Sequence, residues 1–265
     1  MSRLQVYVQG VGVWSPRLAD FAALRGVLRG QDMAPPPARP PASRLPANER
    51  RRAPESVLLA IEVADQAVAM SGLDASTLAC VFASSHGDQS ITDYMCAVLA
   101  TAPAELSPTR FHNSVHNAPA GYWTIATGCH APSNAVCAQQ ASFGAGLLEA
   151  AILAVADARP VLLVCSDTAG SGPLADVTGC VAPFACALVL APQPGACTLG
   201  RLDLHLCPAS IADASSASPL PADWMASSPS ASALPLLALL AQGTGRCRLM
   251  AAAALGMEVQ LEKCA

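Results

Sequence analysis

The sequence is poor in charge. Asp, Glu, Lys and Arg make up 13% of its 265 residues, about half of the ~25% usual in soluble chains, and Lys263 is its single lysine. With a net charge of −4 and one short basic run, Arg50-Arg51-Arg52, it lacks the clustered cations that neutralise phosphates, which excludes a nucleic-acid surface. The eleven cysteines form no CxxC pair and often sit in apolar runs such as VLLVCSD and PFACALVL. That argues against zinc and against a secreted disulfide framework, and predicts small core residues in a reducing cytoplasm. No cationic segment followed by an apolar run opens the chain, so no signal peptide is expected. Val177 to Gly200 is free of charge but broken by Pro183, Pro192 and Pro194, and SALPLLALLAQG is too short, so no membrane span is expected. A GxSxG elbow is missing, and GVGVW (10–14) lacks the third glycine and the acidic residue of a dinucleotide site.

What is present reads as a chain of α/β class. Leu4 to Gln9 alternates as a strand, residues 18–29 look helical, and APPPARPPASRLP (34–46) is a proline-rich surface loop. ESVLLAIEVADQAVAM (55–70) has apolar residues at three- and four-residue spacing and stops at Ser71-Gly72, the pattern of an amphipathic helix. LACVFASS reads as a buried strand, and helical pattern resumes over 90–99. SNAVCA (133–138), ASFGAGLLEAAILAVAD (141–157) and PVLLVCSD (160–167) form a strand-helix-strand unit with its turn at Gln139-Gln140. CALVLAP and CTLGRLDLHLC add strands, 209–232 is a Ser/Ala/Pro-rich loop, and the tail supplies a helix (LPLLALLA) and two short strands.

From Phe111 to Leu148 there is no Asp, Glu, Lys or Arg, yet Asn113, Asn117, Asn134, Gln139 and Gln140 keep the stretch polar. Ionised groups are costly in a dry interior unless paired. A neutral, polar stretch of this length therefore predicts a subunit interface adjoining the core.

At these residues the chain resembles the amino-terminal half of the beta-ketoacyl synthases, condensing enzymes of the thiolase-like fold. The resemblance rests on VYVQGVGVWSP, the arginine-led helix after Asn48, SGLDASTLACVFASS, and above all APSNAVCAQQASFGAGLLEAAILAVADARPVLLVCSDTA. It implies a mixed sheet flanked by helices in a single domain over 1–265, with a family-like core at 1–192. Residues 193–265 would be a truncated C-terminal extension, a short helix and strand appendage. Counted from Pro132-Ser133, the family's nucleophilic cysteine falls on Gln140. A thiol at a helix amino terminus is favoured as thiolate, whereas a glutamine amide carries no acyl group as a thioester. A register slip of one would put Gln139 there, and a slip of three Cys137, whose strand periodicity places it in the core. The bland alternative is that Gln140 caps the following helix.

Glutamine at this position is also what chain-length factors show, the non-condensing partners of ketosynthases in type II polyketide systems. The histidine-bearing second half of the family is missing, for beyond Gln140 only His205 remains. Short proteins of this type accompany a full ketosynthase in aryl polyene (xanthomonadin-like) pigment systems. The resemblance therefore implies a cytoplasmic, non-catalytic partner of a full-length beta-ketoacyl synthase, with no activity of its own and no cofactor. It would shape the partner's acyl tunnel, with acyl carrier protein delivering substrate to the complex. His112, Asn113, His116, Asn117, Tyr122 and Trp123 would then present polar and aromatic tips at that interface. The alternatives are an acyltransferase or condensing enzyme with Cys137 as nucleophile, and a homodimeric scaffold. His112 and His116 are four apart and on one helix would share a face, but no convincing third metal ligand accompanies them. His86 and Asp88 follow a strand, where Asp88 suits a helix start, and Ser166 and Asp167 follow another.

Overall fold

A computed structural model describes residues 4–209 and 219–264. In chain order its elements are β1 (Leu4–Trp14), α1 (Phe21–Leu28), α2 (Ala47–Arg52), α3 (Glu55–Ser71), β2 (Ala79–Ala83), α4 (Gln89–Thr101), α5 (Pro108–Asn113), α6 (Ala118–Thr127) and β3 (Ser133–Val136). They continue with α7 (Ser142–Ala156), β4 (Val161–Asp167), α8 (Leu174–Thr178), β5 (Phe184–Ala191), β6 (Gly200–Pro208), α9 (Ala222–Met225), α10 (Leu234–Gln242), β7 (Gly245–Ala252) and β8 (Leu255–Glu262). The strands form one mixed sheet in the order β3-β2-β4-β5-β1-β6-β8-β7. β2 runs parallel to both β3 and β4, and the other pairings are antiparallel.

Period-two alternation divides the buried strand residues between two cores. Val81, Leu163, Cys165, Leu188 and Val11 face α1, α7 and α10. Phe82, Leu162, Val164, Ala187 and Val189 face α3 and α6. Because β4 and β5 are covered on both faces, they read as continuous apolar runs rather than alternating ones. The two glycines of GVGVW have a packing purpose: a Cβ at Gly10 or Gly12 would stand 2.0 Å from the carbonyl oxygen of Ala67 or Val63. Their bare backbone lets α3 lie directly on β1.

The helix α7 is enclosed on both sides. It packs on β2 and β4 and is covered by β7 at the far end of the sheet, close enough that a Cβ on Gly144 would meet the Met250 carbonyl oxygen at 2.1 Å. The helix and strands expected of the tail are therefore present and belong to the same sheet, with β7 and β8 full-length strands of eight residues each. The stretch Gln139–Ala156 is the only one among the described residues long and apolar enough to cross a membrane. Here it is the central core helix, with Phe143, Leu147 and Ala151 buried against the sheet.

Several local expectations need correction. The helix after Asn48 is the separate α2, divided from α3 by Ala53-Pro54, because the residue before a proline is pushed out of helical geometry. The proline-rich loop lies at the surface but is tied down: Ala42 and Leu45 are buried, Glu62 accepts the Ala42 N–H at 2.7 Å, and Arg44 pairs with Asp65. The stretch 209–232, read as loop, contains α9 and most of a 3₁₀ turn at Pro229–Ala233; residues 210–218 of that loop lie outside the described residues. Six cysteines (80, 129, 165, 180, 186 and 247) are buried. Cys137 is not a core residue: β3 is the sheet's edge, and the thiol beyond its end is exposed.

Candidate functional site

The parallel strands β2 and β4 end side by side, with Ala83 opposite Cys165. That brings Ser84-Ser85-His86 and Ser166-Asp167 together at one end of the sheet. Asp167 is 1% exposed, and a carboxylate in such a place must have its lone pairs filled by donors. Its Oδ1 accepts from Ser84 Oγ at 2.9 Å, the Ser85 N–H at 2.8 Å and the His86 N–H at 3.2 Å, while Oδ2 accepts from Ser230 Oγ in the tail. Burial, then the neighbouring Asp167 carboxylate, pushes the Cys165 thiol well above its ordinary range. Burial raises Cys80 and Cys247 to about 12. Those thiols remain protonated at neutral pH and are poor nucleophiles.

From this centre the turn after β2 reaches the expected nucleophile position. Gln139 has φ +49°, in the left-handed region that costs an L-residue about 1–2 kcal/mol. Its carbonyl oxygen accepts from Ser85 Oγ at 2.6 Å and Ser142 Oγ at 2.7 Å, and Ser142 Oγ accepts the Ala138 N–H at 3.0 Å. The strained turn is thus held from two sides. Gln139 and Gln140 are both exposed in the 3₁₀ turn before α7. The capping reading of Gln140 fails: the N-cap of α7 is Ala141, without a side-chain hydrogen bond. Cys137 Sγ lies 3.4 Å from the Ser85 carbonyl oxygen, before the turn rather than on the helix terminus. Asp88 caps α4 through the Ile91 N–H, as its position suggested.

The residues expected at a partner interface separate into two groups. His112 and Asn117 are exposed, Tyr122 is half-buried, and Asn113 is buried with its Oδ1 accepting from Tyr122 Oη at 3.2 Å. His116 Nε2 lies 2.9 Å from the Ser84 carbonyl oxygen. Trp123 is fully buried against α3 and presents nothing outward, a correction forced by helical spacing: the exposed face of α6 carries Ile125 instead, at 78% exposure. His112 and His116 share no helix, since α5 ends at Asn113. No group of three His, Cys, Asp or Glu that could hold a metal is found among the described residues.

Two features went unread in the sequence. The first is the Asp167 cluster, whose signal was polar residues ending two neighbouring strands. The second is a helical arm: of α4 only Gln89 and Ile91 are buried, and Leu99, Phe111 and Val115 are each more than half exposed. Beside it an open groove of about 690 Å³ runs between α6 and the edge of β3, lined by His116, Asn117, Ala120, Gly121, Thr124, residues 133–135 and Cys137. No residue of formal charge lines it.

In sequence, residues 28–254 match the family model described as "Beta-ketoacyl synthase, N-terminal domain". The chain belongs to the beta-ketoacyl synthase family. No curated protein sequence matches it. Among solved structures, it is similar to a chain of the ketosynthase ApeO in complex with its chain length factor ApeC from Xenorhabdus doucetiae. That match has a TM-score of 0.71 and 24% identity and covers 97% of this chain and 99% of the matched one, so the two are of nearly equal length. It is also similar to a chain of the ishigamide ketosynthase/chain length factor, with TM-score 0.71, 13% identity, and 98% and 100% of the two chains covered. It is similar as well to a beta-ketoacyl synthase from Burkholderia phymatum STM815, with TM-score 0.62 and 13% identity over 89% of this chain and 70% of that one. At such identities the likeness establishes the fold: a beta-ketoacyl synthase sheet with its central helix.

Proposed function

We propose that this beta-ketoacyl synthase-like chain is a non-catalytic, chain-length-factor-like partner of a full-length ketosynthase. The pathway would be an aryl polyene or other type II polyketide or fatty-acid-like one, in the cytoplasm, with acyl carrier protein serving the complex. The observation that carries the reading is the uncovered face formed by α4, α5, α6 and the edge of β3. A helix of thirteen residues such as α4 is marginal by itself in water, and its Leu99 here faces solvent with Phe111, Val115 and Ile125. Exposed apolar surface beside an unpaired strand edge marks a protein interface. Gln140, at the family's nucleophile position, supports a silent role because an amide forms no acyl thioester. The family resemblance supplies the partner's identity, and the similarity to chains of ketosynthase/chain length factor structures supports it.

Co-expression with a full-length ketosynthase is expected to give a co-purifying one-to-one complex, and substitutions at Phe111 and His112 to change the length of its product. Failure of any ketosynthase to co-purify would overturn the reading. The second reading, catalysis by Cys137, draws on that thiol's exposure and on His116 lining the same groove. Incubation with a radiolabelled acyl thioester separates the two: stoichiometric label on Cys137 favours the enzyme, and an unlabelled, folded chain favours the silent partner.

A further inference from the structure

We propose that Asp167 is a positioning residue that couples the C-terminal tail to the partner-facing surface. The inference rests on the reading above that this surface meets a ketosynthase. Four donors converge on one buried carboxylate: Ser84 Oγ, the N–H groups of Ser85 and His86, and Ser230 Oγ. The first three belong to the turn after β2 and the fourth to the 3₁₀ turn Pro229–Ala233 of the tail. Two of the residues that Asp167 holds, Ser84 and Ser85, in turn hold others. The Ser84 carbonyl oxygen is 2.9 Å from His116 Nε2, where the helical arm returns to the body. The Ser85 hydroxyl holds the Gln139 carbonyl of the left-handed elbow, and the Ser85 carbonyl lies against Cys137 Sγ. Thus the arm, the elbow carrying Gln140 and the end of the β3 edge all refer to one carboxylate, and Ser230 ties that carboxylate to the far end of the chain.

Hydrogen-bond chemistry makes the coupling separable from plain stability. In Asp167→Asn the amide oxygen takes the Ser84, Ser85 and His86 donors, and the amide nitrogen donates to Ser230 Oγ, so the set is retained. Asp167→Ala removes all four acceptor contacts and leaves the buried Ser85 N–H and the part-buried His86 N–H unpaired. Ser230→Ala removes only the tail's contribution.

The test is amide hydrogen exchange by mass spectrometry on the whole chain, followed by ketosynthase binding. Asp167→Ala is expected to speed exchange about tenfold or more, and Ser230→Ala roughly fivefold, together in 84–89, 112–118 and 137–142. The strands β6 and β8 should change less, and Asp167→Asn should stay within about twofold of wild type. Ketosynthase affinity should fall in the same order. Should Asp167→Ala not fold, Ser230→Ala and Asp167→Asn carry the test. Faster exchange confined to 84–87, or spread evenly over the chain in Ser230→Ala, overturns the coupling. Coupled exchange in a chain whose wild type binds no ketosynthase supports the coupling while overturning the proposed function.

Discussion

The two edges of the sheet are built differently. β3 is four residues long, carries no charge and leaves Ser133, Asn134 and Ala135 exposed beside the neutral groove. β7 is eight residues long and carries Arg246 and Arg248, the latter opposite Glu258 of β8. Its inner side is occupied, because it covers α7. Charge on an edge strand discourages pairing with another chain, whereas a short neutral edge permits it. The contrast separates an edge that completes the chain's own core from one that remains available to a partner.

The most damaging change to this contrast should be Ala135→Pro. The carbonyls of Pro132 and Val136 accept from Cys80 and Ser84 of the β2 side, so strand alternation turns the N–H and C=O of Ser133 and Ala135 to the free edge. Proline at 135 removes an outward donor without breaking the ladder to β2. Ketosynthase affinity, measured by titration calorimetry, should fall about 100-fold, on the order of 2.7 kcal/mol, with the melting temperature of the isolated chain nearly unchanged. Equal affinity would mean that β3 is not the contact.

Gly144→Ala addresses the other edge from within. Its Cβ would clash with the Met250 backbone, forcing β7 away from α7 at a cost of about 2 kcal/mol in unfolding free energy. Denaturant titration measures it, and an unperturbed midpoint would show that the β7 layer yields freely. Arg246→Val strips charge from β7 and should convert it into a second adhesive edge. Analytical ultracentrifugation would then show self-association strengthened roughly threefold to tenfold, from changes of about 1 kcal/mol. Ala158→Gly is the control away from both edges. Ala158 sits at φ +49°, so glycine should stabilise by about 0.5 kcal/mol, the relief of strain being partly offset by unfolded-chain entropy. Partner binding should not change.

Much of this molecule was legible before its structure. The helix over 55–70 and the buried strands at 79–83 and 161–167 appear nearly as their patterns predict, because burial imposes apolar spacing directly. The strand-helix-strand pattern from residue 133 to 167 anticipated the central helix and the Gln139-Gln140 turn. The burial of Trp123 and the exposure of Cys137 were not legible. Each depends on which side of a neighbouring element the residue meets, and residues 111–148 have no charge to distinguish an outer face from an inner one.

The sequence by itself determined the low charge, the neutral stretch and the succession of strands and helices. These follow from local composition and periodicity, which need no knowledge of distant neighbours. Only the tertiary structure decided that β3 is an open edge, that β7 closes over α7, and that Asp167 gathers donors from residues 84–86 and from Ser230. Such facts depend on strand order and on contacts between residues as distant in the chain as Gly144 and Met250, and a buried carboxylate is tolerated only where folding brings its donors together.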